Sequence, residues 1–496
     1  MTRFGIAAAL LVGACLGSLS AMAAPSVALA PSGGHPKATT QVSGSGFGAN
    51  KAVDVYWDTS DKLLVITDGS GAFPNTPLQV PADAPPGQHW VTAVERDNGN
   101  GAQKTFTVRT NWATFGFDAQ NRHYNPYENV VSASNANQLD TLWSVALGNV
   151  QDAPAVSSGV VYAGSDSGFY AINASTGALR WEAFQCAEVI GSSPAVAGNT
   201  VYVGCYTDGK VYAYSTSNGS LKWSAATGGN IFSSPVVSNG IVYVGSYDGK
   251  LYAWDATTGA SKWTATTTAA SAITASPAVN NGIVYIGSSD HKVYAFNAAT
   301  GAPIWTYSTG GAVEGSPIVG NGTVYAGSDD GFLYALSAAT GAFYWSYNLG
   351  NPVSMPAFAN GIVYVGSSNS LSLTALTAGT GKLVWSTNLN GSSYFPPNIA
   401  NGVLYVAAGF YTHAVDARTG ADLWAAPNVG NQWTSPVIAD GVLYVGSGPD
   451  GGGDLNLHAF ALDSGDNAVY RRNPGPPSFA TLHPDFRLEP ARPNQP

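Results

Sequence analysis

The sequence is poor in charged residues and in cysteine, and each shortage excludes a class of protein. Asp, Glu, Lys and Arg make up 10% of the 496 residues, and the formal net charge is −10, whereas ordinary soluble domains carry about 25% charged residues. An acidic chain without a Lys/Arg cluster is not expected to bind nucleic acid or an anionic membrane surface. The three cysteines are never adjacent, and none lies in a Cys-x-x-Cys-His haem-attachment motif.

Long apolar runs are missing beyond the N-terminal segment, so no transmembrane segment is expected in the mature chain. Residues 1–23 combine Arg3, an apolar stretch and the small residues Ala21-Met22-Ala23, which predicts a secretory signal peptide cleaved before Ala24. In the alternative interpretation, Val12-Gly13-Ala14-Cys15 is a lipobox and Cys15 is lipidated. The protein is therefore predicted to be periplasmic or secreted, or else a lipoprotein anchored through Cys15.

Proline and tyrosine recur with a fixed spacing through the rest of the chain. The repeat prolines are Pro154, Pro194, Pro235, Pro277, Pro317, Pro356, Pro397 and Pro436. A tyrosine follows each of them by eight residues, at Tyr162, Tyr202, Tyr243, Tyr285, Tyr325, Tyr364, Tyr405 and Tyr444. A period of about 40 residues is typical of repeat architectures.

The pattern of each repeat predicts four short β-strands. Segments rich in β-branched and aromatic residues alternate with Asp-Gly and Thr-Gly pairs, which are signals for tight turns rather than for acid catalysis. Helix formers are scarce, which excludes helical repeats, and four-stranded units of this length are propeller blades. Tryptophans at equal spacing are predicted to pack between blades, at Trp143, Trp181, Trp223, Trp263, Trp305, Trp345, Trp385 and Trp424.

The first and last of these units are incomplete in complementary ways. Trp143 has no Thr-Gly hairpin before it, and the hairpin at Ser464-Gly465 lacks the usual tryptophan. We therefore expect the strand at 139–145 to complete the last blade and close an eight-bladed propeller, which leaves no exposed ring edge. A closed ring needs no partner subunit, which is compatible with a monomer.

The segments before and after the repeats differ from them in composition and in residue pattern. Residues 24–37 are predicted to be a flexible leader, 38–110 a small Ig-like β-sandwich, 111–138 a connector, 139–472 the propeller and 473–496 a proline-rich disordered tail. The likeness of 38–110 to Ig-like modules of bacterial exported proteins depends on Gly44–Phe47 and Pro85–His89. The fold class is thus all-β.

The repeat resembles the quinoprotein-type (PQQ-like) propeller family through Gly-x-Val-Tyr-x-Gly-Ser, Asp-Gly, Tyr-Ala, Ala-x-Thr-Gly and Trp. The resemblance covers roughly 112–472. The family includes pyrroloquinoline-quinone (PQQ) dehydrogenases and non-catalytic relatives such as the propeller lipoprotein of the outer-membrane assembly machinery. Its dehydrogenases carry a pair of adjacent cysteines over the quinone, which this sequence lacks. No catalytic, cofactor-binding or metal-binding residues are assigned and no cofactor is expected. The alternative is PQQ with calcium.

One position of the repeat varies while the others are uniform. Three residues before each proline the chain has Gln151, Gly191, Phe232, Thr274, Glu314, Val353, Tyr394 and Trp433. These residues are predicted to surround one mouth of the central channel, and Gln151, Phe232, Thr274, Glu314, Tyr394 and Trp433 are the candidate ligand site. The alternative is that they simply line the channel. Cys186 and Cys205 are left after signal cleavage, and either a disulfide or two isolated thiols fits the sequence.

Three functions fit this pattern. The preferred hypothesis is an exported, non-catalytic propeller that binds a protein or an envelope component whose identity the sequence does not reveal. A PQQ-dependent oxidoreductase with an atypical site is the second, and the third is a cell-surface carbohydrate-binding module that uses the aromatic channel mouth.

Overall fold

The computed structural model describes residues 23–186, 191–268, 270–367, 370–389, 395–426, 434–448, 454–462 and 475–482. Its N-terminal domain consists of two β-sheets. The strands are β1 (Ser26–Ala30), β2 (Gly33–Gly34), β3 (Thr39–Ser45), β4 (Ala52–Trp57), β5 (Ser60–Ile66), β6 (Phe73–Gln79), β7 (Gly87–Glu95) and β8 (Gly101–Val108). One sheet has the order β1-β3-β6 and the other β2-β8-β7-β4-β5. Val42, Phe73, Val91 and Phe106 belong to the shared core between them.

The prediction of a flexible leader at 24–37 is wrong. Ser26–Ala30 pairs antiparallel with Thr39–Ser45, and Gly33–Gly34 pairs with the end of β8. The alternating Val27 and Leu29 side chains pack against the domain core, so burial of apolar surface fixes this segment. The likeness to Ig domains stays a prediction.

The repeats form eight sheets within the described residues, and six of them each come from one copy of the repeat. Blades one to three comprise β11–β14 (Ala155–Ser157, Val160–Gly164, Phe169–Asn173, Leu179–Ala183), β15–β18 (Ala195–Ala197, Thr200–Gly204, Lys210–Ser215, Leu221–Ala226) and β19–β22 (Val236–Ser238, Ile241–Gly245, Lys250–Asp255, Ser261–Thr266). Blades four to six comprise β23–β26 (Ala278–Asn280, Ile283–Ser288, Lys292–Asn297, Pro303–Ser308), β27–β30 (Ile318–Gly320, Thr323–Gly327, Phe332–Ser337, Phe343–Asn348) and β31–β34 (Ala357–Ala359, Ile362–Ser367, Ser370–Thr377, Leu383–Asn388).

Blade seven contains β35–β38 (Asn398–Ala400, Val403–Ala408, Tyr411–Asp416, Asp422–Ala426) and adds β9 (Tyr124–Asn125) beside its first strand. Blade eight contains β39 (Val437–Ala439), β40 (Val442–Gly446) and β41 (Asn456–Leu462), and its fourth strand is β10 (Leu139–Ala146). Leu139 pairs with Leu462 and Ala146 with Asn456. The strand around Trp143 therefore completes the last blade, as the two incomplete repeats predict.

Tryptophans join each blade to the next, as predicted from their spacing. The Trp223 indole N–H of blade two donates to the Ala256 carbonyl of blade three over 3.0 Å. The same carbonyl accepts the hydroxyl of Tyr202, also of blade two, at 2.8 Å. Gly259, at φ 71°, lies under the indole, where a Cβ would come within 2.7 Å of the ring. Equivalent indole bonds are made by Trp143, Trp181, Trp263, Trp305, Trp345 and Trp385. The same set of contacts thus joins neighbouring blades around the ring.

The Asp-Gly turns have the structural role that the sequence predicts. Gly209 and Gly249 have φ values of 63° and 76°. The carboxylate of Asp248 accepts the Tyr252 hydroxyl at 2.6 Å, and Asp330 accepts that of Tyr334 at 2.7 Å. These aspartates stabilise the second hairpin turn of their blades through these hydrogen bonds.

The C-terminal tail is not wholly extended, which corrects the prediction for 473–496. Helix α1 (Phe479–Leu482) packs against Tyr56 and Val94 of the N-terminal domain. The Tyr56 hydroxyl donates to the Leu482 carbonyl at 3.2 Å, and the Gln103 amide donates to the Pro477 carbonyl at 2.7 Å. Apolar Phe479 and Leu482 give this short segment a surface to bury, which proline content alone does not reveal.

Helical structure is minor in the part of the chain that is described: α1 and a 3₁₀ turn at Ala136–Gln138. No helix in these ranges has the length and apolar character needed to cross a membrane.

Candidate functional site

The connector (111–138) lies across one end of the central channel. Its backbone carbonyls accept hydrogen bonds from the innermost strands of blades two, five and seven, at Ala113 from Val196, at Gln120 from Val319 and at His123 from Ile399, over 2.7–2.9 Å. Trp112 forms a bridge with Val156 of blade one and is fully buried. We call this end of the channel the closed end, because the connector meets inner strands of most of the ring.

Two buried carboxyl groups tie the closed end to the N-terminal domain. Thr110 donates its backbone N–H to Asp440 Oδ1 at 2.6 Å and its hydroxyl to Glu128 Oε2 at 2.8 Å. Burial raises the pKa of both Glu128 and Asp440. Arg109 Nη1 lies 3.4 Å from Asp440 Oδ2, so the junction carries one cation for the two acids.

A cavity of about 410 Å³ lies beside this junction. Its walls include His35, Arg109, Phe117, Tyr127 and Ser158, and the rings of His35 and Tyr127 stack with centroids 3.8 Å apart. Because Arg109 already contacts Asp440, we assign this region a role in holding the two domains together.

His123 is the one histidine of the connector. Its ring is fully buried, and its Nδ1 lies 2.7 Å from Asn398 Oδ1. Burial lowers the pKa of His123 to about 4. The imidazole is therefore neutral at neutral pH and acts as a packing and hydrogen-bonding group.

The opposite end of the channel, where the innermost strands begin, is the mouth. The predicted candidate residues Gln151, Phe232, Thr274 and Glu314 lie in described segments, whereas Tyr394 and Trp433 lie outside the described residues. Consecutive positions are neighbours: the Thr274 hydroxyl donates to the Glu314 carbonyl at 3.3 Å, and a Cβ on Gly191 would lie 3.6 Å from the Phe232 ring. Their ligand-binding role stays a prediction.

A belt of serines fixes the spacing of the mouth. The backbone N–H of Ser193 donates to Ser234 Oγ at 3.0 Å, that of Ser234 to Ser276 Oγ at 2.9 Å, and that of Ser276 to Ser316 Oγ at 2.8 Å. These bonds join neighbouring blades two residues inside the variable position. The variable side chains are thus presented from a regular, hydrogen-bonded base.

Three aromatic rings gather on the mouth side of blades two and three. Tyr206 meets Phe232 and Tyr247 edge-on, with ring centroids 6.5 and 5.9 Å apart. Phe232 is 47% exposed and Tyr247 41% exposed. Tyr206 and Tyr247 were missed by the sequence analysis because they come from the turn after the second strand. The signal was available, since both occupy the residue after the Gly-Ser or Gly-Cys pair of their repeats.

Two carboxylates lie on the mouth side of blade five, beside a turn of blade four. Glu314 and Asp329 are exposed, and the Ser289 hydroxyl donates to Glu314 Oε1 at 3.3 Å. Desolvation raises the pKa of Asp329, and the negative charge of Glu314 adds to it. His291 adjoins this group from a turn in which it adopts φ 67°.

Asp152 is a buried acid just inside the mouth. Its Oδ2 is shielded from solvent and has no hydrogen-bond partner among the described residues, and burial raises the pKa of Asp152 to about 8. Other blades have serine here: Ser192 and Ser233 accept hydrogen bonds from the backbone N–H groups of Gly204 and Gly245. The acid is therefore an exception to the repeat.

Cys186 and Cys205 are disulfide-bonded, with Cα atoms 5.7 Å apart. The bond joins the chain entering blade two to the turn after its second strand, next to Tyr206. Across the described ranges, His, Cys, Asp and Glu side chains form no group of three arranged to hold a metal ion.

The ring of four-stranded sheets, with its interblade tryptophans and tyrosines, defines a PQQ-like β-propeller. A family model described as outer membrane protein assembly factor BamB matches residues 87–268 and 348–468, more than half of the chain. The chain belongs to this family. No curated protein matches the sequence.

Solved structures show the same fold. BamB from Moraxella catarrhalis is 22% identical with a TM-score of 0.55, over 66% of this chain and 98% of that one. The quinohemoprotein alcohol dehydrogenase from Comamonas testosteroni is 17% identical with a TM-score of 0.62, over 71% and 80%. A europium-containing methanol dehydrogenase is 14% identical with a TM-score of 0.61, over 71% and 98%. The neighbours thus include both an assembly factor and dehydrogenases, and at these identities the likeness extends to fold alone.

Proposed function

We propose that this protein is an exported, non-catalytic propeller that binds a protein or envelope component through the mouth of its channel. The observation that carries the proposal is the contrast within one rigid ring. The connector covers the closed end, whereas the mouth presents exposed aromatic and acidic side chains at variable positions of the repeat. Variable side chains on a rigid scaffold are typical of binding surfaces.

The residues at the mouth do not fit PQQ. The quinone carries three carboxylates, which the exposed carboxylates of Glu314 and Asp329 would repel unless a calcium ion lay between them. Among the described residues, no group of three His, Cys, Asp or Glu side chains is arranged to hold such an ion. The cysteines that remain after signal cleavage are bonded to each other across 19 residues rather than placed side by side. We therefore derive no redox step for this chain.

Localisation to the periplasm or to the medium is part of the proposal. It is supported by the N-terminal sequence of 1–23, of which residues 1–22 lie outside the described residues, and by the description of the family as an outer membrane assembly factor. Mass spectrometry of the exported protein distinguishes cleavage before Ala24 from lipidation at Cys15.

The test of the binding function uses the mouth and a matched surface far from it. Immobilised protein is exposed to envelope extract, and the captured proteins are compared with those on a Phe232→Ala/Tyr247→Ala variant and on Phe343→Ala. Phe343 is 51% exposed on an outermost strand, which matches Phe232. We expect a specific partner that is lost with the mouth variant alone.

A parallel titration with PQQ and calcium tests the enzymatic alternative. We expect no change in melting temperature and no quinone absorbance retained by the protein. Saturable PQQ binding with a raised melting temperature would overturn the non-catalytic assignment.

A further inference from the structure

The mouth has an aromatic half whose rings are placed for contact from outside. Phe232 and Tyr247 both meet Tyr206 edge-on, so each keeps a ring face free of these partners. Gly191 makes this arrangement feasible, because a Cβ there would come within 2.9 Å of the Tyr206 Cβ. The exposed fractions of Phe232 and Tyr247 show that the group is accessible in the folded chain.

The acidic half adjoins the aromatic half. The Glu314 backbone is held by the Thr274 hydroxyl, and its carboxylate accepts the Ser289 hydroxyl. The serine belt joins Ser234 to Ser276 and Ser276 to Ser316, so Phe232, Thr274 and Glu314 follow one another around the same rim. Desolvation raises the pKa of Tyr247, and the neighbouring Tyr206 and Glu314 add to the rise. Carboxylates and aromatic faces therefore share one surface around the channel opening.

The lysines on the same side of the ring are engaged elsewhere. Lys210 lies 3.3 Å from Asp208, and Lys250 lies 3.6 Å from Asp248, each within its own turn. Lys292, at the same position of blade four, donates to the Thr268 hydroxyl at 2.7 Å. In the described part of the chain, no lysine or arginine forms an ion pair with Glu314 or Asp329. The mouth thus offers negative charge beside free aromatic faces.

We propose that the mouth binds lysine or arginine side chains of an extended basic segment of a protein partner. A guanidinium or ammonium group is attracted both by carboxylates and by the face of an aromatic ring. The aromatic and acidic groups come from blades two, three and five, which suits several side chains of a peptide better than one small amine. The connector covers the far end of the channel, so the segment enters and leaves through the mouth. The inference rests on the proposed function and names its partner chemistry.

The test uses a fluorescent peptide that alternates arginine with glycine and serine, and a second peptide with glutamine in place of arginine. Fluorescence anisotropy is measured with the full purified chain at 20–200 mM salt. We expect saturable binding of the arginine peptide that weakens with salt, and at least tenfold weaker binding of the glutamine peptide.

Variants locate the site. Glu314→Gln and Tyr247→Ala are each expected to weaken arginine-peptide binding about five- to tenfold, which is the range for a charged hydrogen bond or a cation–π contact. Glu182→Gln removes an exposed carboxylate on an outermost strand, and Phe343→Ala removes an exposed aromatic ring. Neither control is expected to change the affinity. Melting temperatures establish that all four variants are folded.

Two outcomes would overturn the inference: equal binding of both peptides, or equal losses for Glu182→Gln and Glu314→Gln, which would indicate attraction to the acidic chain as a whole. If the arginine peptide does not bind while capture from extract still depends on Phe232 and Tyr247, the inference fails and the proposed function stands. If neither depends on the mouth, both fail.

Discussion

The two ends of the channel are built from the same strands but by different chemistry. At the closed end, backbone groups of the connector bond to backbone groups of the innermost strands, and the connector side chains of Trp112 and His123 are fully buried. At the mouth, a serine belt supplies the regular bonds, and Phe232 and Glu314 are exposed to solvent. Under the proposed function, stability and recognition are therefore separated along the channel axis. Changes at the closed end should affect folding, and changes at the mouth should affect binding.

The largest expected contrast comes from truncating an aromatic ring at each end. Trp112→Ala should lower the free energy of unfolding by about 3–5 kcal/mol, because a fully buried ring leaves a cavity. Phe232→Ala should change it by less than about 0.5 kcal/mol, since the ring is half exposed. Urea denaturation of both variants checks this. Similar losses at the two ends would contradict the separation.

Asp152→Ser tests the one buried acid near the mouth. The pKa of Asp152 rises from 3.8 to about 8 on folding, so the unfolded chain ionises first as the pH rises. The native chain therefore loses stability between about pH 4 and pH 8. Serine, which suits this position in other blades, should stabilise the protein by about 1–3 kcal/mol at pH 8 and by little at pH 4. Thermal unfolding at both pH values measures the gain. A comparable pH-dependent gain for Glu314→Gln, an exposed acid, would show that the effect is not specific to Asp152.

His123→Gln tests a buried group at the closed end whose pKa is shifted down on folding, whereas that of Asp152 is shifted up. The pKa of His123 falls from 6.5 to about 4, so the unfolded chain takes up a proton first as the pH falls. The contribution of neutral His123 is lost between about pH 6.5 and pH 4. At pH 7 the variant should have a lower free energy of unfolding than the native chain. This deficit should shrink by about 1 kcal/mol from pH 7 to pH 5. Denaturant titrations give both values. The exposed His291, replaced by Gln, serves as control, and a constant deficit for His123→Gln would refute the buried neutral state.

Gly191→Ala is expected to have a small effect on stability, below about 1 kcal/mol. The added Cβ would meet Tyr206 at 2.9 Å, so the aromatic rings must shift. We expect altered near-ultraviolet circular dichroism and weaker arginine-peptide binding. Gly379→Ala adds a methyl group with no heavy atom within 4 Å and should leave both signals unchanged. Identical behaviour of the two variants would show that Gly191 does not position the rings.

The repeat made much of the fold predictable. Spacing alone indicated that Trp223 and its equivalents pack between blades and that the strand around Trp143 completes the last blade, because each contact recurs in every copy. The path of the connector was not predictable. It is held by backbone carbonyls, such as those of Ala113 and Gln120, which any residue provides.

The candidate site was predicted in part. Phe232 and Glu314 were found from their variable position, but Tyr206, Tyr247 and Asp329 come from turns of neighbouring blades and reach the mouth only through the ring geometry. The leader strand and α1 were missed for a related reason. Short segments such as 26–30 and 479–482 acquire structure from the surface on which they pack, and that surface is distant in sequence.

The composite last blade also dictates when the ring can form. Ser144 bonds to His458, 314 residues later in the chain, so the outer strand β10 lacks its partner β41 until nearly the whole polypeptide is present. Pairing between such distant segments is slow, because the intervening chain must first be brought together. We therefore expect a late closure step in folding, and a native ring that resists opening once its first and last strands are joined.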